Sequence, residues 1–206
     1  MSSLNCELGG NGPHVALLHP TGLDLSFLSP VASILRQEFT VLTLDQRGHG
    51  ESRMSVPMSS LEDYADDLHK LLYEINFAPA AIACSSFGGM VAMVSALKYP
   101  QAVSALAICA CTATQTAESR AIARKRGDDA RHNSMADVLE ATLDRWFTAP
   151  FRAAGKDKAV RERLLSDDPN GCAAAWYAMG DVHTLPQLSA LRANTTNLRR
   201  PRSYSG

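Results

Sequence analysis

Two short apolar runs, Val15-Ala16-Leu17-Leu18-His19 and Phe39-Thr40-Val41-Leu42-Thr43-Leu44, have the length and β-branched content of strands buried on both faces. Between them Ser29 is placed to cap a helix that carries Pro30 in its first turn and Val31, Ile34 and Leu35 on one face. A second helix is predicted from about Ser60 to Ile75. There Ser60 precedes Asp63 by the spacing of a cap, and Leu61, Tyr64, Leu68, Leu71 and Leu72 share a face. Ala80 to Cys84 reads as a third strand, Met90 to Leu97 as a helix ended by Tyr99-Pro100, and Val103 to Cys109 as a fourth strand. Strands and helices in alternation make a parallel α/β sheet.

From Thr114 the texture changes to polar, Ala-rich and Arg-rich helical segments near Glu118–Arg131, Met135–Trp146, Val160–Leu165 and Cys172–Met179, with no strand signal between them. The sequence therefore divides into a sheet-containing core over residues 1–113, a helical cap over 114–190 and an irregular Arg-rich tail over 191–206. No internal repeat is present.

Composition narrows the class. The 206 residues carry 20 Lys+Arg against 21 Asp+Glu with 46% hydrophobic residues, the balance of a folded globular chain, which excludes disorder. A formal net charge of -1 offers no footprint for nucleic acid or an anionic membrane surface. The longest apolar stretch, Val103 to Ala113, is too short to span a bilayer, and Met1 to Gly12 lacks the basic start and apolar run of a signal peptide, so a cytoplasmic protein is expected. Five scattered cysteines, Cys6, Cys84, Cys109, Cys111 and Cys172, with no C-x-x-C pair, read as reduced thiols.

The sharpest chemical signal is Cys84-Ser85-Ser86-Phe87-Gly88-Gly89, where a buried strand turns abruptly into a helix. In a G-x-S-x-G elbow the serine is held in a strained turn with its hydroxyl exposed, and small flanking residues let neighbouring backbone pass close by. Gly88 sets the register and makes Ser86 the nucleophile candidate. The Phe87 amide then lies at a helix start, unsatisfied by the helix and available to a developing oxyanion. A second donor is expected from His19-Pro20-Thr21-Gly22 after the first strand; Thr21 N–H is the candidate, because Pro20 has no N–H. Asp45-Gln46-Arg47-Gly48-His49-Gly50-Glu51-Ser52 follows the second strand as an architectural turn.

In their order and spacing these three stretches resemble the α/β-hydrolase superfamily, and the cap residues Asp144-Arg145-Trp146-Phe147-Thr148, Phe151-Arg152, Gly171-Cys172-Ala173-Ala174 and Gly180-Asp181 resemble the lid of 3-oxoadipate enol-lactonases. The resemblance covers about residues 3–191. It implies a mostly parallel sheet with helices on both faces and a helical cap, and hydrolysis of a small ester or lactone through an acyl-enzyme on Ser86, with neither metal nor organic cofactor. It gives Trp146 and Arg145 roles in substrate binding. It also places the acid and the histidine that activate such a serine on loops downstream of the cap, with further strands. None of His14, His19, His49, His69, His132 and His183 holds that position, so the C-terminal strands, the acid and the base are expected to be missing, and Arg192–Gly206 reads as a substituted end. The competing expectation is a non-catalytic remnant of the same fold that binds a ligand or partner.

Overall fold

The computed structural model describes residues 4–53, 60–132 and 134–191, together with the backbone of Asn194–Leu198. Six strands form one sheet: β1 (Cys6–Gly9), β2 (His14–Leu18), β3 (Thr40–Leu44), β4 (Ala80–Ser85), β5 (Val103–Cys109) and β6 (Asn194–Leu198), in the spatial order β1-β3-β2-β4-β5-β6. Only β1 runs antiparallel to its neighbour. The apolar runs of β2 and β3 are buried because both faces of the sheet are covered there. Val15, Leu17 and Val41 pack with Ala32 of α1 (Ser29–Leu35), whereas Ala16, Leu18 and Leu42 face α2 (Leu61–Glu74) and α3 (Phe87–Lys98). Alternate residues of one strand thus serve opposite layers, as the two-residue period of a strand requires.

Ser60 caps α2 as predicted: its hydroxyl accepts the Asp63 N–H while the Asp63 carboxylate accepts the Ser60 N–H, a reciprocal capping box. Ser29 does not cap α1. It is the first helical residue, Leu28 holds the cap position, and Pro30 fixes the helical φ of the first turn without needing a cap bond.

Residues 114–191 fold as helices: α4 (Ala117–His132), α5 (Met135–Trp146), α6 (Ala149–Ala153), α7 (Lys158–Leu165) and α8 (Pro169–Gly180). Leu139, Leu143, Leu164 and Cys172 make an apolar cluster of their own, to which Trp146 and Trp176 are packed from the side. The strand β6 corrects the irregular tail expected from composition. It adds in parallel to β5, pairing Ala105 with Asn194 through Cys109 with Leu198. Backbone pairing at a sheet edge needs no apolar pattern, which is why an Asn- and Thr-rich segment can take it.

Candidate active site

The elbow is built where β4 becomes α3. Ser86 is the one residue between them and has φ 53 and ψ -117. A non-glycine residue in that region carries strain of about 1–3 kcal/mol and persists only when its surroundings hold it. They do: the Ser86 N–H donates to the Cys109 carbonyl at 2.9 Å, and the Ser86 carbonyl accepts the Gly89 N–H at 2.9 Å. Gly88 admits the close approach, since a Cβ there would stand 2.6 Å from the Leu18 carbonyl oxygen. Ser86 is half-buried, and among the described residues its hydroxyl has no hydrogen-bond partner. Phe87, the first residue of α3, has an N–H without an intrahelical acceptor.

Register carries the second loop to the elbow. Leu18 pairs with Cys84, so His19-Pro20-Thr21-Gly22 leaves β2 level with Ser85 and Ser86. Its first residues are tied down. The Gln46 N–H donates to His19 Nε2 at 3.0 Å and the Gln46 side-chain amide donates to the His19 carbonyl at 2.8 Å. With Nε2 accepting, Nδ1–H donates to the Pro20 carbonyl at 2.8 Å, so the neutral imidazole has both nitrogens satisfied. Complete burial, with the nearby His49 adding to it, lowers the His19 pKa to about 3. His49 is tied in turn: its Nδ1–H donates to the Arg47 carbonyl at 3.0 Å, which leaves Nε2 to face the Thr21 hydroxyl at 3.5 Å. Thr21 is buried, and its amide makes no hydrogen bond among the described residues.

The turn that follows β3 acts as the expected scaffold. The Asp45 carboxylate accepts the Leu25 N–H at 2.7 Å, the Asn5 side-chain amide at 2.8 Å and the Glu51 N–H at 2.9 Å. Arg47 forks onto Asp67 of α2 at 2.6 and 2.8 Å.

Helix α7 reaches the loop after β2 through groups that the motifs did not single out. Arg163 of α7 lies 2.9 Å from Asp24 and 2.8 Å from Asp167. The second oxygen of Asp167 is buried without a partner, and burial pushes its carboxyl pKa up. In the sequence only spacing hints at this, an acid at position 167 one helical turn after Arg163.

Trp146 is half-buried against the cap cluster, as its helical stripe with Leu139 and Leu143 implies, and Arg145 is exposed beside it. No hydrogen bond joins any of the six histidines to Ser86 among the described residues. All five cysteines are free. No cluster of three His, Cys, Asp or Glu side chains able to hold a metal occurs among the described residues, and none of their helices is long and apolar enough to cross a membrane.

A family model described as Hydrolase_4, serine aminopeptidase S33, matches residues 14–173, from the first core strand into α8. The chain belongs to this family. As a Hydrolase_4 member it is an α/β-hydrolase-fold protein. Among solved structures it is similar to a thermophilic esterase from Thermogutta terrifontis, with a TM-score of 0.88 and 27% identity over 95% of this chain and 74% of that one. It is similar also to the enol-lactonase from Burkholderia xenovorans LB400, with a TM-score of 0.88 and 26% identity over 94% of this chain and 76% of that one. A curated relative, 3-oxoadipate enol-lactonase 1 of Acinetobacter baylyi, is 24% identical over 94% of this chain. The chain spans 73% of that relative and 38% of the uncharacterized hydrolase YraK of Bacillus subtilis, to which it is 31% identical over 50% of its own length.

Proposed function

We propose that the protein hydrolyses a carboxylic ester or lactone, with 3-oxoadipate enol-lactone as the specific substrate, in the cytoplasmic breakdown of aromatic compounds. The observation that carries this reading is the backbone of Ser86, held at φ 53 between a buried strand and a helix start with its hydroxyl unpartnered among the described residues. Ser86 Oγ attacks the carbonyl carbon and gives up its proton to a histidine oriented by an acid, a pair that the described residues do not supply. The Phe87 and Thr21 amides hold the negative oxygen of the tetrahedral species. The ring C–O bond then breaks as the leaving oxygen takes the proton from that histidine, and water, giving its proton to the same base, hydrolyses the acyl-enzyme to the free acid and restores the Ser86 hydroxyl. Residues 1–113 act as the core and 114–190 as the cap, from which Trp146 and Arg145 meet the substrate. The similarity to an enol-lactonase and to an esterase supports the ester or lactone class.

A second reading, a non-catalytic remnant of the fold, draws on one observation: no histidine is bonded to Ser86 among the described residues. A fluorophosphonate probe separates the two. Covalent labelling that maps to Ser86 and disappears in Ser86→Ala, together with turnover of the enol-lactone, supports the hydrolase. Folded protein that takes up no probe supports the remnant.

A further inference from the structure

Three contacts converge on the corner where α7 ends and α8 begins. A Cβ on Gly22, in the loop after β2, would stand 2.7 Å from Leu164 Cδ2. Arg163 reaches Asp24 of the same loop at 2.9 Å. Gly171 meets Gly48, in the turn after β3, so closely that a Cβ on Gly171 would fall 2.0 Å from the Gly48 carbonyl oxygen. Asp167 sits among these contacts with its side chain only 1% exposed. Its Oδ1 accepts a hydrogen bond from Arg163 at 2.8 Å. Its Oδ2 lies 3.9 Å from the Cβ position of Gly22 and has no hydrogen-bond partner among the described residues.

A buried carboxylate with one oxygen left without a donor is costly, and the same group escapes much of that cost by taking up a proton. Arg163 faces Asp167 from α7, His49 from the turn after β3, and Asp168 and Cys172 from the start of α8. Asp24 and His19 lie beyond Arg163. Burial is the strongest influence and raises the Asp167 pKa; the negative charge of Asp168 adds to it, while His49 and Arg163 pull the other way without offsetting it. The packed corner therefore holds neutral Asp167 better than ionised Asp167, whereas lifting the corner off Gly22 opens Oδ2 to water. The sign follows by linkage. The seated corner is favoured at low pH, and that preference is lost as pH rises through the raised pKa.

We propose that Asp167 is a proton-operated release for this corner: neutral, it keeps the start of α8 seated on the Thr21–Gly22 loop, and ionised, it drives the two apart so that Oδ2 is hydrated. Only the consequence for Ser86 rests on the hydrolase reading, because the loop carries the Thr21 amide and its release withdraws an oxyanion donor.

The experiment follows hydrogen exchange on the full chain between about pH 4 and pH 8, with each rate divided by the intrinsic rate at that pH. The peptide that spans Thr21 to Leu25 is read against the one that spans Cys84 to Met90. His19, in the same loop, is held as the neutral ring and opposes seating on acidification. The quantity read is therefore the difference between the parent and Asp167→Asn, in which His19 is unchanged. Near pH 4 the two proteins should protect the 21–25 peptide alike, and by pH 8 Asp167→Asn should protect it about tenfold better. Asp167→Ser, which also removes the carboxylate, should behave in the same way and carries the test if the amide of Asn does not fit. Protection that is equal or differs by a constant factor at every pH, weaker protection in the variants, or failure of both variants to fold at neutral pH overturns the release, since the ionised carboxylate would then be satisfied where it lies or be an anchor. The expected exchange pattern with no fluorophosphonate uptake at Ser86 in any of the proteins overturns the hydrolase reading and leaves the release standing.

Discussion

The Nε atom of Arg163, on cap helix α7, stands 2.9 Å from a carboxylate oxygen of Asp24, in the loop that carries Thr21 and Gly22 out of β2. Its other end holds Asp167 at 2.8 Å, and both Arg163 and Asp24 are largely shielded, with side-chain exposures of 18% and 20%. A bridge so placed ties the geometry of the candidate oxyanion loop to the seating of the cap.

Arg163→Gln should therefore loosen residues 21–25 more than the rest of the molecule. Removing one partner strands Asp24 and the buried Asp167 carboxylate, at a cost of about 2 kcal/mol once the partial exposure of the bridge is allowed for. Hydrogen exchange should quicken in the peptide that spans Thr21 to Leu25 while the one that spans Cys84 to Met90 stays protected. Probe labelling of Ser86, where present, should slow by about tenfold. Unchanged exchange in the 21–25 peptide would show that the bridge does not restrain the loop.

Gly88 allows α3 to start against the end of β2. A methyl group there would meet the Leu18 backbone at 2.6 Å, and neither partner can yield, because one is a helix start and the other a central strand. Gly88→Ala should cost about 2–3 kcal/mol in urea unfolding, the scale of overpacking in a tight core, and should displace Ser86 from its neighbours. Gly180, at the end of α8, is the contrast: its nearest contact would be 3.4 Å, to the Ala123 side chain. Gly180→Ala should be nearly neutral, within about 0.5 kcal/mol. Equal losses in the two variants would rule out the close approach as the reason for glycine at 88.

His19 predicts a pH dependence with a definite sign. Its pKa falls from the ordinary 6.5 to about 3 on folding, because burial and, after it, the nearby His49 favour the neutral ring. The unfolded chain then binds the extra proton between those values. Stability contributed by neutral His19 is full above pH 6.5 and is lost as pH falls through the window toward about 3, at about 1.4 kcal/mol per pH unit. Urea midpoints taken between about pH 6 and pH 5 should drop more steeply for the parent than for His19→Gln by that slope. Parallel slopes would mean that His19 is not buried in the neutral form.

How much of this was legible in the sequence depends on where the information resides. β5 has the predicted bounds, Val103–Cys109, and α5 the predicted Met135–Trp146, because apolar periodicity is a property of the segment itself. The elbow could be placed to the residue, since Gly88 excludes every register but the one with Ser86 at the turn. β1 and β6 went unread: Cys6–Gly9 is largely exposed with no alternation, and Asn194–Leu198 is polar, so both are strands by virtue of the edges they join. α6 is five residues long, too short for a period to show. The contacts of His49 with Thr21 and of Arg163 with Asp24 span 28 and 139 positions, and no local pattern marks such pairs.

The seam between the turn after β3 and helix α8 supplies the last prediction. Gly48 and Gly171 meet backbone to backbone, and a Cβ on Gly171 would fall 2.0 Å from the Gly48 carbonyl oxygen. Gly48 cannot move aside readily: its φ is +75, and its N–H donates to the Ser52 carbonyl at 2.9 Å, within the turn that Asp45 and Arg47 anchor. The strain in Gly171→Ala must therefore be relieved by α8 lifting away, which carries Cys172 and Trp176 out of the cap cluster. We expect a loss of about 2–4 kcal/mol and a red shift of tryptophan emission in the folded variant as Trp176 gains water. A variant with parent stability and parent emission would show that cap and core do not depend on this contact.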